Sequence, residues 1–431
     1  MTPLMIGLSG IVALFFLIAL QIPVAFAMII VGLVGFGLQV GFGTALTTLA
    51  NEPSGLLSSL DLAVVPLFIM MGAFVSVAGF SRDIYAVAAA FLGHRRGGLG
   101  YATISGCALF GSVCGSSTAT AATFMRIAFP EMRRHGYADS FSTGCVAAGG
   151  ALKSLIPPSL IMILYCIITK EFIFDLFLAA LVPAVITVIF NLLAVGIVVR
   201  VYPELAPVCG RADWSERKRA LKQASPGLIL ILAVFGGLYS GVFTINEAAA
   251  VAAVTAFIFA LVRGRLTWRQ FKESLQGTAC ITAMLYLMVI GATIFSYSLA
   301  YARLPETAVG VAQNLNVPPA AVVIMLLVAY LVIGAVFDEI AAMLITLPIV
   351  LPLVVSLGYD PLWWGVINVI VIELGMIIPP IGLIVFILHG MAPQVSLSTI
   401  YRGVFPFIVA NVCVLGLLVA FPELALLFSA R

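Results

Sequence analysis

Charged residues are scarce in this chain, and their scarcity excludes a soluble globular fold. Of 431 residues, 9% are charged and 63% are hydrophobic, and the mean hydropathy is +1.20. A globule of this size cannot cover its surface with so few polar side chains. The formal net charge of +3 is too small to indicate a nucleic-acid partner. The composition therefore predicts an all-α protein that crosses a lipid bilayer many times.

Residues with catalytic or metal-binding chemistry are scarce as well. The three histidines, His94, His135 and His389, belong to no nucleophile or metal motif, and the chain has no phosphate-binding loop. The seven cysteines lack paired spacing, so we interpret them as packing residues. The first basic residue is Arg82, which leaves no basic start for a cleavable signal peptide. We expect a protein that is not an enzyme, needs no cofactor and is not driven by ATP.

The chain does contain a proline and glycine pattern that occurs twice. The pattern recurs 222 positions later without a gap: Pro130, Gly136, Tyr137, Pro157 and Pro158 match Pro352, Gly358, Tyr359, Pro379 and Pro380. Each copy predicts a hydrophobic hairpin, a Gly-Tyr turn and a helix that Pro-Pro interrupts. Repeated halves with broken helices are typical of secondary transporters, which bind substrate near the bilayer midplane. We therefore interpret the chain as a transport protein.

Hydrophobic runs of about 20 residues, enough to span a bilayer, recur along the whole chain. The predicted spans are 3–20, 23–42, 61–80, 173–200, 226–244, 246–262, 278–302 and 403–428. The two Pro-Pro segments, 139–165 and 361–388, are long enough to cross despite their breaks. These segments together predict ten full spans.

Two further apolar segments are better explained as re-entrant hairpins. The arms 97–111 and 119–134 flank a polar tip at 112–118. An arm of this length reaches about 23 Å, which is short of the roughly 30 Å hydrocarbon core. The second copy has the same shape, with arms 318–334 and 340–356 around 335–339. We expect hairpins at 97–134 and 318–356 that enter and leave on one side.

Basic residues are distributed unequally around the two hairpins. The first is flanked by His94-Arg95-Arg96 and Arg133-Arg134-His135, whereas the flanks of the second, 314–319 and 356–361, contain no Lys or Arg. By the positive-inside rule, the hairpins open to opposite sides. The sequence therefore predicts two inverted repeats, 1–200 and 225–431, joined by a basic cytoplasmic connector at 201–224, with both termini outside.

Oxygen-bearing residues at the tips and breaks predict a sodium site. Sodium is a hard cation that prefers oxygen ligands, and half-unwound helices free carbonyl groups for it. The candidate sodium residues are Ser112, Ser116, Ser117, Gly149, Gly150, Gly334, Asp338 and Gly375. The alternative for each hydroxyl is a bond to its own helix or simple packing.

The same elements predict a site for an anionic substrate, because half-helices after the breaks point their positive ends inward. The candidate substrate residues are Ser116, Thr118, Arg126, Lys153, Ser154, Pro158, Ser159 and Pro380. An intramembrane Lys is costly, so we expect Lys153 to face a substrate carboxylate or an internal acid such as Asp338. Arg126 has the alternative of extending to the membrane interface.

Long motifs in matching order resemble one family, the large membrane subunit of tripartite ATP-independent periplasmic (TRAP) transporters. The motifs lie at 111–137, 147–159 (AAGGALKSLIPPS), 236–251, 347–361 and 375–382 (GMIIPPIG). The chain departs from the family pattern at Lys153 (mostly Gly), Cys114 (mostly Ser), Ile378 (often Thr) and Ile245-Asn246 (commonly Pro-Thr). Of these, Lys153 is the departure that we expect to bear most on substrate.

The resemblance implies sodium-driven uptake of an organic anion such as a C4-dicarboxylate or sialic acid across a bacterial inner membrane. It further implies a periplasmic substrate-binding protein and a separate small four-helix membrane subunit as partners. We expect an elevator, in which the hairpins and Pro-Pro helices move against a scaffold of 3–42, 173–200, 226–262 and 403–428. The alternative is a stand-alone sodium/anion symporter of the divalent-anion type, whose usual Ser-Asn-Thr tips are absent here.

Overall fold

The computed structural model of the chain describes residues 2–314 and 317–429, and every regular element in these ranges is helical. The first half contains α1 (Pro3–Ala19), α2 (Val24–Val40), α3 (Phe42–Leu57), α4 (Leu60–Val77), α5 (Phe80–Leu92), α6 (Gly98–Cys114), α7 (Ser117–Arg134), α8 (Asp139–Leu152), α9 (Leu160–Thr169) and α10 (Ile173–Val201). The second half contains α11 (Trp214–Tyr239), α12 (Ile245–Val262), α13 (Trp268–Tyr301), α14 (Leu304–Asn314), α15 (Pro319–Val336), α16 (Glu339–Ser356), α17 (Pro361–Gly375), α18 (Leu383–Met391), α19 (Leu397–Ala420) and α20 (Glu423–Leu426).

The predicted all-α membrane fold is confirmed. Within the described ranges, nine helical segments are long and apolar enough to cross a bilayer, and both arms of the second hairpin, α15 and α16, are among them. Every predicted span falls on a helix, and both Pro-Pro segments break where expected. The first break runs from a short 3₁₀ turn, Lys153–Leu155, to the start of α9, and the second separates α17 from α18.

Several helices extend beyond the apolar windows. α11 begins at Trp214 and α13 at Trp268, each 10 to 12 residues before the predicted span at 226 or 278. The reason is a capping box at each start, in which a side chain three residues into the helix accepts a hydrogen bond from the N-cap backbone. Hydropathy does not detect such polar starts. The last part of the connector 201–224 is therefore helical.

The hairpins are present, but their tips are shorter than predicted. α6 continues to Cys114 and α7 begins at Ser117, so the first tip is only Gly115-Ser116 instead of 112–118. Gly115, at φ +78°, ends α6 in the left-handed conformation that glycine adopts most readily. The second tip is Phe337-Asp338. The longest arms have 18 residues, about 27 Å, and remain marginal for a full span.

The outer helices of the two halves are interleaved. α2 packs along α13, and α4 packs along α12, so helices of the first half pack directly against helices of the second half. Close approach of α2 and α13 depends on glycine: a Cβ on Gly32 would lie 2.7 Å from the Phe295 backbone nitrogen, and one on Gly291 would lie 2.7 Å from the Ala25 carbonyl oxygen. We call α1–α4 together with α11–α13 the outer frame.

The broken helices and hairpins form a second group with α10 and α19. α19 packs along α8, where a Cβ on Gly403 would overlap the carbonyl of Ser140 and one on Gly144 would overlap the carbonyl of Gly403. α10 packs against α17 and α19. We call α6–α10 with α15–α19 the central body. The predicted scaffold segments 173–200 and 403–428 therefore lie with the Pro-Pro helices, because facing glycines let the helices approach closely.

Candidate substrate and ion site

The two hairpin tips meet in the interior of the central body. Ser117 is the first residue of α7, and Glu339 is the first residue of α16. The two positions are equivalent in the repeat, and the Ser117 hydroxyl lies 3.1 Å from Glu339 Oε2. Both residues are buried. Equivalent residues of the two sequence repeats therefore meet in the interior.

Residues from both helix breaks complete a buried polar cluster. The Ser117 hydroxyl also lies 2.7 Å from Glu373 Oε1, on α17, and 2.8 Å from the Ser154 hydroxyl, in the 3₁₀ turn after α8. The Ser154 hydroxyl lies 2.8 Å from Glu339 Oε2. We call Ser117, Ser154, Glu339 and Glu373 the central cluster. It joins both hairpins and both broken helices in one place.

Lys153 lies beside the central cluster and is 0% exposed. Its Nζ has no hydrogen-bond partner among the described residues, while its charge acts on the Glu339 carboxylate. The backbone of Gly111 makes room for its stem, since a Cβ there would lie 2.7 Å from Lys153 Cβ. The equivalent position in the second repeat is Gly375. Glu339 is therefore the internal acid near Lys153, whereas the sequence suggested Asp338.

Four of the candidate sodium residues lie at helix contacts. Gly149 and Gly150 lie within α8, so the predicted unwinding there is wrong: it begins at Lys153, because the glycines allow α8 to pack closely on α6 and α7. Gly334 and Gly375 pack on each other, and a Cβ on Gly375 would lie 2.7 Å from Gly334 Cα.

The remaining tip residues cap their helices or bond to them. The Ser112 hydroxyl donates to the carbonyl of Leu109, 2.8 Å away in its own helix. Ser116 caps α7, and its Oγ lies 3.1 Å from Thr118 Oγ1. Asp338 caps α16 by accepting from the Ile340 N–H at 3.0 Å. Ser116, Thr118 and Asp338 are half-buried, so the tips keep polar groups at a partly open edge.

The candidate substrate residues fall into an inner and an outer set. Ser154, Pro158 and Ser159 are buried with Lys153, and the Ser159 hydroxyl has no partner within the described ranges. Arg126 is exposed, nine residues along α7 from Ser117, about 14 Å away. Arg126 therefore does not join the central cluster.

The two helix breaks differ in exposure. Pro157 and Pro158 are buried, whereas the equivalent Pro379 and Pro380 are exposed. The carbonyls of Pro380 and Ile381 accept from the Tyr401 hydroxyl at 3.2 and 2.6 Å. The Pro-Pro motif is thus buried in the first repeat and exposed in the second.

Glu339 and Glu373 were missed by sequence reasoning. Glu373 is the only Asp, Glu, Lys or Arg in 361–388, and Glu339 matches Ser117 in the repeat. A charge isolated in an apolar run is costly unless it faces a partner or cavity, which is the signal that would have identified Glu373. Glu339 follows Asp338, and its match to Ser117 is the signal that would have identified it.

A small cavity of about 20 Å³ borders the central cluster. Glu373, Thr187 and Asn411 are its polar lining residues. The second carboxyl oxygen of Glu373, Oε2, has no hydrogen-bond partner in the described part of the chain. The cavity is large enough for a single water molecule, and polar lining is what such a water requires.

Hairpins and Pro-Pro breaks that converge on one polar centre are the features that the sequence motifs predicted. A profile of the family "Tripartite ATP-independent periplasmic transporter, DctM component" matches residues 11–424. The chain belongs to this family. A C4-dicarboxylate TRAP transporter large permease protein, DctM of Pseudomonas aeruginosa, is 32% identical over 90% of this chain and 93% of its own length.

Other relatives of this TRAP family member are named for different solutes. The sialic acid TRAP transporter large permease protein SiaM of Vibrio cholerae is 29% identical over 94% of both chains. The ectoine/5-hydroxyectoine TRAP transporter large permease protein UehC of Ruegeria pomeroyi is 30% identical over 95% of both chains. These relatives are transporter permeases rather than enzymes.

Solved structures share the fold at low identity. The YdaH transporter of Alcanivorax borkumensis superposes with a TM-score of 0.63 and 16% identity over 89% of both chains. MtrF of Neisseria gonorrhoeae superposes with a TM-score of 0.54 and 13% identity, over 87% of this chain and 84% of its own. Both likenesses concern the fold of a multi-pass membrane transporter.

Proposed function

We propose that this chain moves an organic anion, of the carboxylate class, across a bacterial inner membrane together with sodium. A periplasmic binding protein would deliver the substrate, and a small four-helix membrane subunit would pack beside the outer frame. The observation that carries the proposal is the contact between Ser117 and Glu339, which joins both hairpins at one buried centre. Inverted-repeat transporters place their solute and ion sites at such a point.

Coupled transport requires groups that bind a cation and groups that bind an anion, and the hairpin tips and helix starts offer both. Ser116, Thr118 and Asp338 offer oxygen atoms at a half-buried edge, which suits a hard cation. The starts of α7 and α9 lie near each other, since a Cβ on Gly115 would lie 3.3 Å from Leu160 Cδ1, and free backbone N–H groups at helix starts suit a carboxylate. Cation and anion bound side by side neutralise each other's charge, so each favours binding of the other.

The two-part packing supports transport by an elevator movement. The central body carries both hairpins and both broken helices, and the outer frame is held together by its own interleaved helices. α5 and α14 lie between the two parts, with α5 against α6 and α11, and α14 against α16 and α13. The central body would slide as a unit along the frame.

Reconstituted uptake tests the proposed function. The large and small subunits are placed in sealed vesicles, and the binding protein is supplied outside with a labelled C4-dicarboxylate, sialic acid or ectoine. We expect uptake of one carboxylate that requires an inward sodium gradient and needs no ATP. Equal uptake without the binding protein would favour the stand-alone symporter, and uptake that ignores sodium would remove the ion from the proposal.

A further inference from the structure

An apolar groove runs between α10 and α19 on the outside of the central body. Its volume is about 530 Å³. Exposed side chains of both helices form its walls, among them Leu193 and Ile197 on α10 and Phe405 and Val409 on α19. A groove with such walls is filled by hydrocarbon in a bilayer, because apolar surface is not left against water. Its apolar part therefore fits a lipid acyl chain.

Two asparagines fix the alignment of α10 with α19. Asn191 and Asn411 each direct the side-chain nitrogen at the side-chain oxygen of the other, at 3.5 and 3.3 Å. The end of α10 and the start of α19 also meet the same part of α8. There the Ala138 N–H donates to the Leu205 carbonyl at 2.9 Å, and Gly403 packs against the first turn of α8. The two helices are therefore antiparallel, with the end of one beside the start of the other.

One arginine from each helix lies at the same end of this groove. Arg200 and Arg402 each stand nine residues from the asparagine of their own helix, which places both at one level, about 14 Å from the asparagine pair. Arg200 also follows Leu193 by seven residues, and Arg402 precedes Val409 by seven. Seven residues are about two helical turns, so both arginines start from the face that lines the groove.

Both arginines are exposed, and neither guanidinium group has an ion-pair or hydrogen-bond partner among the described residues. Asp139, at the start of α8, is paired with Arg133 at 3.3 Å. Glu204, the acid closest to Arg200 in sequence, lies beyond the end of α10 and is exposed. The end of the groove thus presents two cations to which no acid in the described part of the chain is bonded.

The arginine end of the groove adjoins the connector 201–224, which the distribution of basic residues predicts to be cytoplasmic. The cytoplasmic leaflet contains the anionic phospholipids, and basic pockets between transmembrane helices on that side bind their headgroups. A guanidinium group donates paired hydrogen bonds to phosphate oxygens. Charge and position therefore both favour a phosphate headgroup at this end.

A second apolar groove shows that the arginines are the distinguishing feature. The groove between α1 and α2 has a volume of about 300 Å³ and similar walls. Residues 1–81 contain no Lys or Arg, so these two helices offer no cation to a headgroup. Apolar walls alone fit any lipid, whereas the groove between α10 and α19 can select a lipid by its charge.

We propose that the groove between α10 and α19 binds one anionic phospholipid of the cytoplasmic leaflet, with an acyl chain along the groove and the phosphate on Arg200 and Arg402. The site lies outside the central cluster and does not depend on the proposed transport function. A lipid held in this way contacts two helices of the central body, so its binding should raise the thermal stability of the folded protein.

Native mass spectrometry of the purified full chain tests the headgroup preference. Phosphatidylglycerol and phosphatidylcholine with identical acyl chains are added in turn. Phosphatidylglycerol should bind about tenfold more tightly, which is the effect of one charge-assisted hydrogen bond. The double variant Arg200→Gln, Arg402→Gln should bind the two lipids equally. Thermal unfolding with each lipid gives a second measure of the same preference.

The matched control for charge is the double variant Arg219→Gln, Lys222→Gln. Both residues are exposed on α11, and their substitution lowers the net charge by the same amount. This control should keep the preference of the wild type. Equal binding of the two lipids by wild type, or the same loss in both double variants, would overturn the proposal.

A second pair of variants tests the acyl-chain part of the site. Val409→Trp should fill the groove and weaken phosphatidylglycerol binding, while both arginines remain. Val412→Trp is the control, because Val412 is on the same helix and equally exposed, at 47%, but does not line the groove. Equal binding by the two variants contradicts a chain in the groove. Stabilisation by soluble glycerol phosphate as large as that by the lipid contradicts it as well.

The small membrane subunit is the alternative occupant of the groove. The lipid measurement is therefore repeated on the large subunit purified together with the small one. Retention of one phosphatidylglycerol that depends on Arg200 and Arg402 is the expected result. Loss of the lipid whenever the small subunit is bound would assign the groove to a helix of that subunit and overturn the proposal. Neither result depends on whether the complex transports a solute.

Discussion

At the scale of single residues, Ser117 links several elements in the interior. Its hydroxyl lies within 3.1 Å of oxygen atoms on three other elements, the 3₁₀ turn, α16 and α17. Removal of a buried hydrogen-bonding group leaves its partners unsatisfied, at a cost of about 1–3 kcal/mol. Even a conservative substitution of Ser117 is therefore expected to remove contacts to both repeats.

We expect Ser117→Ala to lower the stability of the purified protein by about 1–3 kcal/mol, because Glu373 and Ser154 lose a partner. Thermal unfolding in detergent measures the change. Ser112→Ala is the matched control and should be nearly neutral, since the Ser112 hydroxyl donates to the Leu109 carbonyl of its own helix. Equal stability of the two variants would show that the central cluster reorganises freely.

The buried charge of Lys153 acts on Glu339, an acid of the opposite repeat, although Lys153 Nζ makes no hydrogen bond within the described residues. Removing one partner of a buried charge pair typically costs about 3–5 kcal/mol, because the other charge remains buried. Lys153→Gly should therefore destabilise the protein. The double variant Lys153→Gly, Glu339→Ser carries at each position the residue found at the equivalent position of the other repeat, Gly375 and Ser117. It removes both charges and should recover part of the lost stability. Thermal unfolding of the single and double variants in one preparation gives the coupling energy.

Sequence patterns placed Lys153, Ser154 and Ser117 near the site because tips and breaks are marked by glycine and proline. The same patterns could not bring Glu373 to Ser117, since the two stand 256 positions apart and meet only through packing of separate helices. A side chain that caps a helix, as Ser116 does, has the same sequence pattern as an ion ligand. Only the structure shows that Ser116 caps α7.

At the scale of whole elements, the contact between α8 and α19 depends on two glycines. We expect Gly403→Ala to lower stability by about 1–3 kcal/mol, because the new methyl group would overlap the Ser140 carbonyl. Gly416→Ala lies on the same helix with open space around it and should be neutral or slightly stabilising. Thermal unfolding of both variants checks the pair. Similar losses in both would show that α19 does not pack tightly on α8.

Hydropathy predicted the apolar, membrane-spanning parts of the helices well. It predicted the helix ends less well. α5 and the polar starts of α11 and α13 carry too many polar residues for an apolar window. Their limits come from caps and from packing against neighbouring helices. The hairpins were predictable because their arms are short on both sides of a glycine or acidic tip.

For the whole molecule, the predicted inversion of the two halves gives a topology prediction. A cysteine at Lys218, on α11, should react with an impermeant reagent only from the cytoplasm, and one at Ser356, at the end of α16, only from outside. Both positions are exposed. Native Cys209, Cys280 and Cys413 are replaced beforehand. Labelling of both from one side contradicts the inversion. Asn316, which the sequence also suggested, lies outside the described residues.

A cross-link between the two parts tests the elevator. Cys114, at the end of α6 in the first hairpin, packs against α4 of the outer frame: a Cβ on Gly72 would lie 2.7 Å from the Cys114 carbonyl oxygen, and Ser76 stands one turn farther along α4. In Ser76→Cys, oxidation should join the central body to the frame and stop uptake in the reconstituted complex, and reduction should restore it. Ser76→Cys with Cys114→Ser is the control and should transport under both conditions. Full uptake by cross-linked protein would rule out sliding at this interface.

The unequal exposure of the two Pro-Pro breaks has a consequence for the energy landscape. If the halves exchange conformations, Pro380 becomes buried and Pro158 exposed, and most contacts of the first state have equivalents in the second. Their free energies then differ mainly where the repeats differ in sequence, foremost at Lys153 opposite Gly375. Each 1.4 kcal/mol of such difference changes the population ratio about tenfold. The resting bias of the transporter is therefore set by the residues that break its internal symmetry.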